Sequence, residues 1–348
     1  MKPSPVERDD QVREGWRIDD PESTGVDARR LQDLEQVIPS QYRNINGIVV
    51  VRKGDIVFER YFNGYGSEDA HHVASVTKSI TSALIGIAIA DGSIQSVEQK
   101  VLDFFPEYPV GLHELQKRAI TLRHLLTMTA PFSWPAKIGH EPLDRLRRQR
   151  DWVTYILNLM GQGGPAGKFQ YCTAGAHLLS AVISRSTGMC AREFANARLF
   201  RPLGMREIAD REMRAFSIDD VFGNNLSGWI KDPAGITTGG WGLTLTPRDM
   251  ARFGCAYLNK GRWGEQQVIP EAWVEESTAI NPNRYGYLWW LREAPHGRAI
   301  FSALGSGGNV ICCVPEKDLV VAIASRIISK PRDRWELIEQ HILPAVNS

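Results

Sequence analysis

This 348-residue chain has almost no net charge, no long apolar run and few cysteines. Its 41 lysines and arginines balance 40 acidic residues, so there is no electrostatic case for nucleic acid or an anionic membrane as a partner. The stretch Arg145 to Arg150 (RLRRQR) is a local exception and reads as a solvated helix face. The longest apolar segment, around Ala83 to Ala90, is far too short to cross a bilayer. The first residues, MKPSPVERDDQVREGW, are charged and contain no apolar core of a secretory signal, so a cytoplasmic location is expected. Cys172, Cys190, Cys255, Cys312 and Cys313 are odd in number and lack CxxC spacing. They read as reduced thiols rather than metal ligands or a disulfide framework. Gly-x-Ser-x-Gly, His-Glu-x-x-His and phosphate-binding glycine loops are missing as well. Their absence disfavours an α/β-hydrolase, a zinc hydrolase and a nucleotide enzyme, and no metal or cofactor is expected. No internal repeat or low-complexity tract marks a solenoid or a linker.

What is present is a globular composition, 43% hydrophobic, arranged unevenly along the chain. Val26 to Ile38 carries apolar residues at helical spacing. GIVVVRKGDIVFERYF, Gly47 to Phe62, reads as two strands joined at Lys53-Gly54. Near the other end, AIFSAL, NVICCV and LVVAIAS are three short β-rich runs, followed by an amphipathic helix bearing Trp335, Ile338 and Ile342. Cys312 and Cys313, adjacent in the middle run, should point to opposite faces of its sheet. Between the two ends the periodicity is helical: 75–90, 120–129, 151–160, 174–188 and 246–261. Hairpins at both ends and no repeated βαβ unit favour an α+β fold, with an antiparallel sheet built from both termini and a mainly helical insertion. The expected organisation is an extension at 1–24, a sheet region at 25–70 and 285–348, and a helical region at 71–284, together one catalytic unit.

One motif at the start of that helical region carries chemistry. HHVASVTKSI places Ser75 and Lys78 three residues apart ahead of an apolar helix. At i and i+3 the two side chains are neighbours. Serine is a weak nucleophile without a base, and an amine serves as one where burial destabilises its ammonium. A serine in the first turn of a helix also has free backbone N–H groups for an oxyanion. Ser-x-x-Lys alone occurs by chance about once in a chain of this size, so the rest of the sequence has to decide. Two further clusters qualify. GKFQYCTAGAHLL sets Tyr171 and Thr173 two apart in a loop leading into a helix. ALGSGGN, Ala303 to Asn309, is a glycine-rich turn between two strands where backbone can approach a ligand closely. His71 and His72 precede the serine and read as packing or capping residues, and Cys172 reads as a structural thiol.

Taken together, SVTK, the later YCT and the late glycine turn resemble the serine β-lactamase-related superfamily. That group includes class C β-lactamases, D-alanyl-D-alanine peptidases, β-lactamase-fold esterases and 6-aminohexanoate-dimer hydrolases. VVVRKGDIVFERYF, HLLTMTA, LFRPLGM, GGWGLTLTPRDMARFG, YGYLWW and VPEKDLVVAIAS share the family's look, so the likeness spans roughly residues 25–328. The resemblance implies Ser75 as nucleophile, Lys78 and Tyr171 as its proton partners, and the N–H groups of Ser75 and Ser306 as oxyanion donors beside Gly305. It implies an ester or amide of a small molecule as substrate. Two positions depart from the family's pattern. Thr173 stands where asparagine is usual, leaving a hydroxyl to steady Lys78 or the substrate. Ala303-Leu304-Gly305 replaces a Lys-Thr-Gly or His-Thr-Gly motif and offers no cation for a penicillin or peptide carboxylate. Trp134, Trp241, Tyr285 and Trp289 are candidate pocket walls. A β-lactamase or peptidase, or a non-catalytic binding protein on the same fold, are the alternative readings; oligomeric state is not legible.

Overall fold

The computed structural model describes residues 12–13, 16–18, 20–134, 141–211, 213, 215–294 and 297–346. Most of the expected extension 1–24 therefore lies outside the described residues. Trp16, which falls within it, is buried edge-on against Trp263.

Strands from the two ends of the chain do meet in one sheet. β1 (Ile45–Arg52) and β2 (Asp55–Tyr61) form the first hairpin. Arg52 pairs with Asp55 across Lys53 and Gly54, both at positive φ, the two-residue turn that matches strand twist. Late in the chain come β3 (Trp290–Arg292), β4 (Ile300–Gly305), β5 (Asn309–Val314) and β6 (Leu319–Ser325). The six strands run β3-β4-β5-β6-β1-β2, with every neighbouring pair antiparallel. Joining β6 to β1 brings residues almost the whole chain apart into register, Val49 opposite Ala322.

Continuous apolar runs such as VICCV make these strands buried on both faces. One face packs under α1 (Leu34–Gln41) and the carboxy-terminal helix, in a core with Leu34, Ile38, Val310, Cys312 and Ile342. The other face belongs to a larger core shared with α2 (Thr77–Ala90), α3 (Thr173–Thr187) and α4 (Pro247–Leu258). Cys312 lies in the first core and Cys313 in the second, as strand alternation requires. Close approach of α4 depends on Gly254, where a Cβ would stand 2.6 Å from Val320 Cγ1.

The expected helices form with local adjustments. The 120–129 helix is confined to Leu122–Leu126, because Met128 takes a positive φ that ends it. In the basic run Arg145, Arg148 and Arg150 are exposed, whereas Arg147 is largely covered; it donates to Phe216 O at 3.1 Å and pairs, like Arg148, with Asp144. Among the described residues, no helix is long and apolar enough to cross a membrane.

Candidate active site

Ser75 sits in a 3-10 turn, Ala74–Val76, immediately before α2 rather than within its first α-turn. Its predecessor Ala74 has φ +48, a left-handed conformation that alanine adopts only under constraint. The constraint is visible. His71 and His72 pair with Leu245 and Thr244, and the Val73 N–H donates to Leu243 O at 3.1 Å. The chain entering Ser75 is thus fixed by a short ladder before the helix begins.

That ladder also delivers the segment Gly239-Gly240 to the second residue of the pair. Lys78, 1% exposed, donates from Nζ to Ser75 Oγ and to Gly240 O, each at 2.9 Å. Thr81 donates to the adjoining Gly239 O at 2.8 Å. Among the described residues no carboxylate pairs with Lys78, so its amine is held by neutral oxygens alone. The two glycines are required by close packing on α3. A Cβ on Gly239 would lie 1.9 Å from Ala176 O, and one on Gly240 would lie 2.7 Å from Thr173 Cγ2.

Tyr171 completes the cluster. It is half-buried just before α3, with its ring centroid 5.1 Å from Lys78 Nζ. Trp290 stacks on it at 5.7 Å, and Tyr285 meets it edge-on at 6.2 Å. Burial, reinforced by the Tyr171 phenol, pushes Tyr285 well above the ordinary tyrosine range. Cys172, next in sequence, points away into the core; burial drives its thiol up to about 12. Thr173 is the first residue of α3 rather than a loop residue, and it is not among the hydrogen-bond partners of Lys78.

The glycine turn arrives from the sheet. β3 pairs with Ile300–Ser302, so that among the described residues the end of β4 meets the Ser75 turn rather than a further strand. There Gly305 lies so close to the Ser75 turn that a Cβ would fall 2.2 Å from Val73 O and 3.3 Å from Ser75 N. Ser306 opens the β4–β5 turn and is exposed. Its carbonyl accepts from Asn309 Nδ2 at 2.8 Å, which also reaches His72 O at 3.4 Å.

Ser75, Lys78, Tyr171, Thr173, Gly305 and Ser306 are therefore clustered. The four aromatic candidates divide. Tyr285 borders Tyr171. Trp241 is buried in a stack with Trp152 at 5.7 Å. Trp134 is buried too, its carbonyl accepting from Gln170 at 2.9 Å. Trp289 lies wholly in the core among Phe253, Tyr257 and Phe301, and its neighbour Trp290 is the residue that meets Tyr171. Alternation along a strand was the available signal for that choice. His72 is a tie rather than a base: Nδ1–H donates to Gly223 O at 3.1 Å and Nε2 accepts from the Gly242 N–H at 3.0 Å.

Known proteins bear on this arrangement directly. Residues 31–339 match the family described as Beta-lactamase. The chain belongs to that family. It is 24% identical over 340 residues to the 6-aminohexanoate-dimer hydrolase of Paenarthrobacter ureafaciens, covering 91% of this chain and 81% of that one. It is 27% identical over 179 residues to Esterase EstB of Burkholderia gladioli, 46% of this chain and 45% of that one. The solved structure of EstCE1, a hydrolase with promiscuous acyltransferase activity, superposes with a TM-score of 0.69 at 18% identity, covering 94% of this chain and 99% of that one. The fold is accordingly the β-lactamase/transpeptidase-like one, and at family level the chain is a serine hydrolase.

Proposed function

We propose that the protein cleaves a carboxylic ester or amide of a small molecule through an acyl-enzyme on Ser75. The observation that carries this reading is the 2.9 Å contact between Ser75 Oγ and a fully buried Lys78 that has no carboxylate partner among the described residues. A lysine used only for stability is normally exposed or paired with an acid.

In the first half-reaction Ser75 Oγ attacks the carbonyl carbon while Lys78 and Tyr171 take and relay its proton. Negative charge develops on the carbonyl oxygen, where the N–H groups of Ser75 and Ser306 stabilise it. The tetrahedral species collapses with loss of an alcohol or amine, which leaves carrying the proton relayed through Tyr171. Water, activated by the same pair, then adds to the ester on Ser75 and releases a carboxylic acid, returning the hydrogen to Oγ. Thr173, whose methyl abuts Gly240, steadies Lys78 through that carbonyl or touches the substrate. Ester or amide is preferred over β-lactam because Ala303-Leu304-Gly305 brings no cation to the strand beside the nucleophile. One relative is a 6-aminohexanoate-dimer hydrolase and another an esterase, which supports this substrate class.

The test is intact mass after exposure to a fluorophosphonate, with peptide mapping, for the wild-type chain and Ser75→Ala. A single adduct on Ser75, lost in the variant, is expected, followed by turnover of p-nitrophenyl esters above nitrocefin. Absence of any adduct on the folded chain would refute the acyl-enzyme.

A further inference from the structure

The turn that bears Ser306 is held from behind by an unusual residue. Arg334, 3% exposed, begins the carboxy-terminal helix α5 (Arg334–Leu337), and among the described residues it has no carboxylate ion pair. A buried guanidinium normally requires one. Here its donors go to uncharged oxygens: Nε to Gly308 O at 3.3 Å, and one terminal nitrogen to Gly307 O at 3.2 Å, Ser325 Oγ at 3.3 Å and Asn44 Oδ1 at 2.7 Å. The other terminal nitrogen donates to Arg332 O at 2.9 Å. Asn44 in turn donates from Nδ2 to Gly307 O at 2.6 Å and to Arg326 O at 2.8 Å. Two residues 290 positions apart thus converge on two consecutive carbonyls of one turn.

The turn has been shaped to receive them. Gly307 and Gly308 both take positive φ, and a Cβ on Gly308 would stand 2.6 Å from Arg334 Nε. Gly307 is buried against Ile327, where a Cβ would stand 2.6 Å from Ile327 Cα, and the turn also borders an open cleft of about 860 Å³ shared with Leu304, Ile328 and Trp335. Burial lowers the Arg334 guanidinium only to about 10, so it remains cationic at neutral pH.

We infer that Arg334 is a positioning residue for the reaction, clamping the Ser306–Gly308 turn, with Asn44, so that the Ser306 N–H stays aimed at the developing oxyanion beside Ser75. This rests on the assignment of Ser306 as an oxyanion donor. The peptide that carries Gly307 O also carries the Gly308 N–H, which donates to Gly305 O at 3.1 Å. Gly305 O in turn belongs to the peptide whose N–H is that of Ser306, so the clamp on Gly307 O holds and polarises the Ser306 N–H through one intervening hydrogen bond.

Amide exchange and kinetics test it together. In Arg334→Ala, the amides of 305–309 should exchange at least about tenfold faster while those of α2 keep their rates. The kcat for p-nitrophenyl butyrate should fall about ten- to a hundredfold with KM changed less than about threefold. Added methylguanidinium should recover part of the loss, and Arg334→Lys should fall between. Asn44→Ala keeps the cation and should show the same pattern more weakly, serving also if Arg334→Ala does not fold. Unchanged exchange at 305–309, or faster exchange with unchanged kcat, overturns the inference. If the wild-type chain neither hydrolyses the ester nor is labelled at Ser75, the proposed function fails, and the exchange result still decides whether the clamp exists.

Discussion

Gly305 stands beside Ser75 with only a hydrogen atom where every other residue carries a Cβ. A methyl there meets Val73 O at 2.2 Å, a carbonyl that accepts from the Val76 N–H at 3.2 Å while its own residue's N–H is held by Leu243 O. Relief requires β4 and the Ser75 turn to move apart, which on the proposed mechanism opens the oxyanion site. Gly305→Ala should therefore lower kcat/KM by about a hundredfold and cost about 1–3 kcal/mol of stability. Ester kinetics and urea unfolding measure the two; an alanine variant with wild-type rates would mean that the strand does not serve the reaction. Lys78→Met tests the other side. Without its amine, Ser75 Oγ loses its proton partner, and turnover should drop by about 10²–10⁴. The clustering of these side chains was legible in sequence because their spacing carries meaning: Ser75 and Lys78 are one turn apart across the start of α2, and Tyr171 and Thr173 flank the start of α3. Gly240 was not. Its contribution is a carbonyl oxygen that every residue possesses, so only the requirement for close packing on Thr173 marks it.

At the scale of elements, the short ladder before α2 is tied through His72. The ring bridges Gly223 O and the Gly242 N–H in a buried position, and desolvation pushes its pKa down to about 4. An unfolded chain binds this proton near the ordinary value of 6.5 and the folded chain resists it, so the unfolded state holds more protons between those values. The stabilising term is complete above pH 6.5 and is lost as pH falls toward 4, about 2 kcal/mol of it by pH 5. His71, also lowered by burial, acts in the same direction, so the readout must be a difference. Urea unfolding of wild type and His72→Gln at pH 7.5 and 5.0 supplies it. The variant should be less stable at pH 7.5, and the gap should narrow by about 2 kcal/mol at pH 5.0; a constant gap would place the pH dependence elsewhere. Elements themselves were read well from periodicity, since long apolar helices and β-branched hairpins are locally encoded. What escaped was register. Whether Trp289 or Trp290 reaches Tyr171 depends on a three-residue strand at the sheet's rim, where one position of slip exchanges the faces.

The whole molecule is two cores on one sheet, and adjacent cysteines report on each. Cys312 is sealed beneath the terminal helices and Cys313 beneath the helical region. Burial drives both thiols up, Cys312 to about 11. Cys172 and Cys255 are likewise buried and raised, which leaves Cys190 as the partly exposed thiol of the five. Since the thiolate is the reactive form, iodoacetamide at pH 8 should add once to the native chain, at Cys190, and five times in guanidinium. Two modifications of the native state would show that one core opens readily. The sheet joins β1 and β2 from the start of the chain to β3–β6 from its end, with the helical region threaded between them. Neither layer can leave without exposing a face of the same strands, so the two cores should unfold as one unit. Under mild denaturant, pulsed alkylation should then modify Cys312 and Cys313 at one common rate. A faster Cys312 would mean that the terminal helices detach first. Arg334 would go with them, and the Ser306–Gly308 turn that it holds would be disordered in a chain whose helical core was still intact.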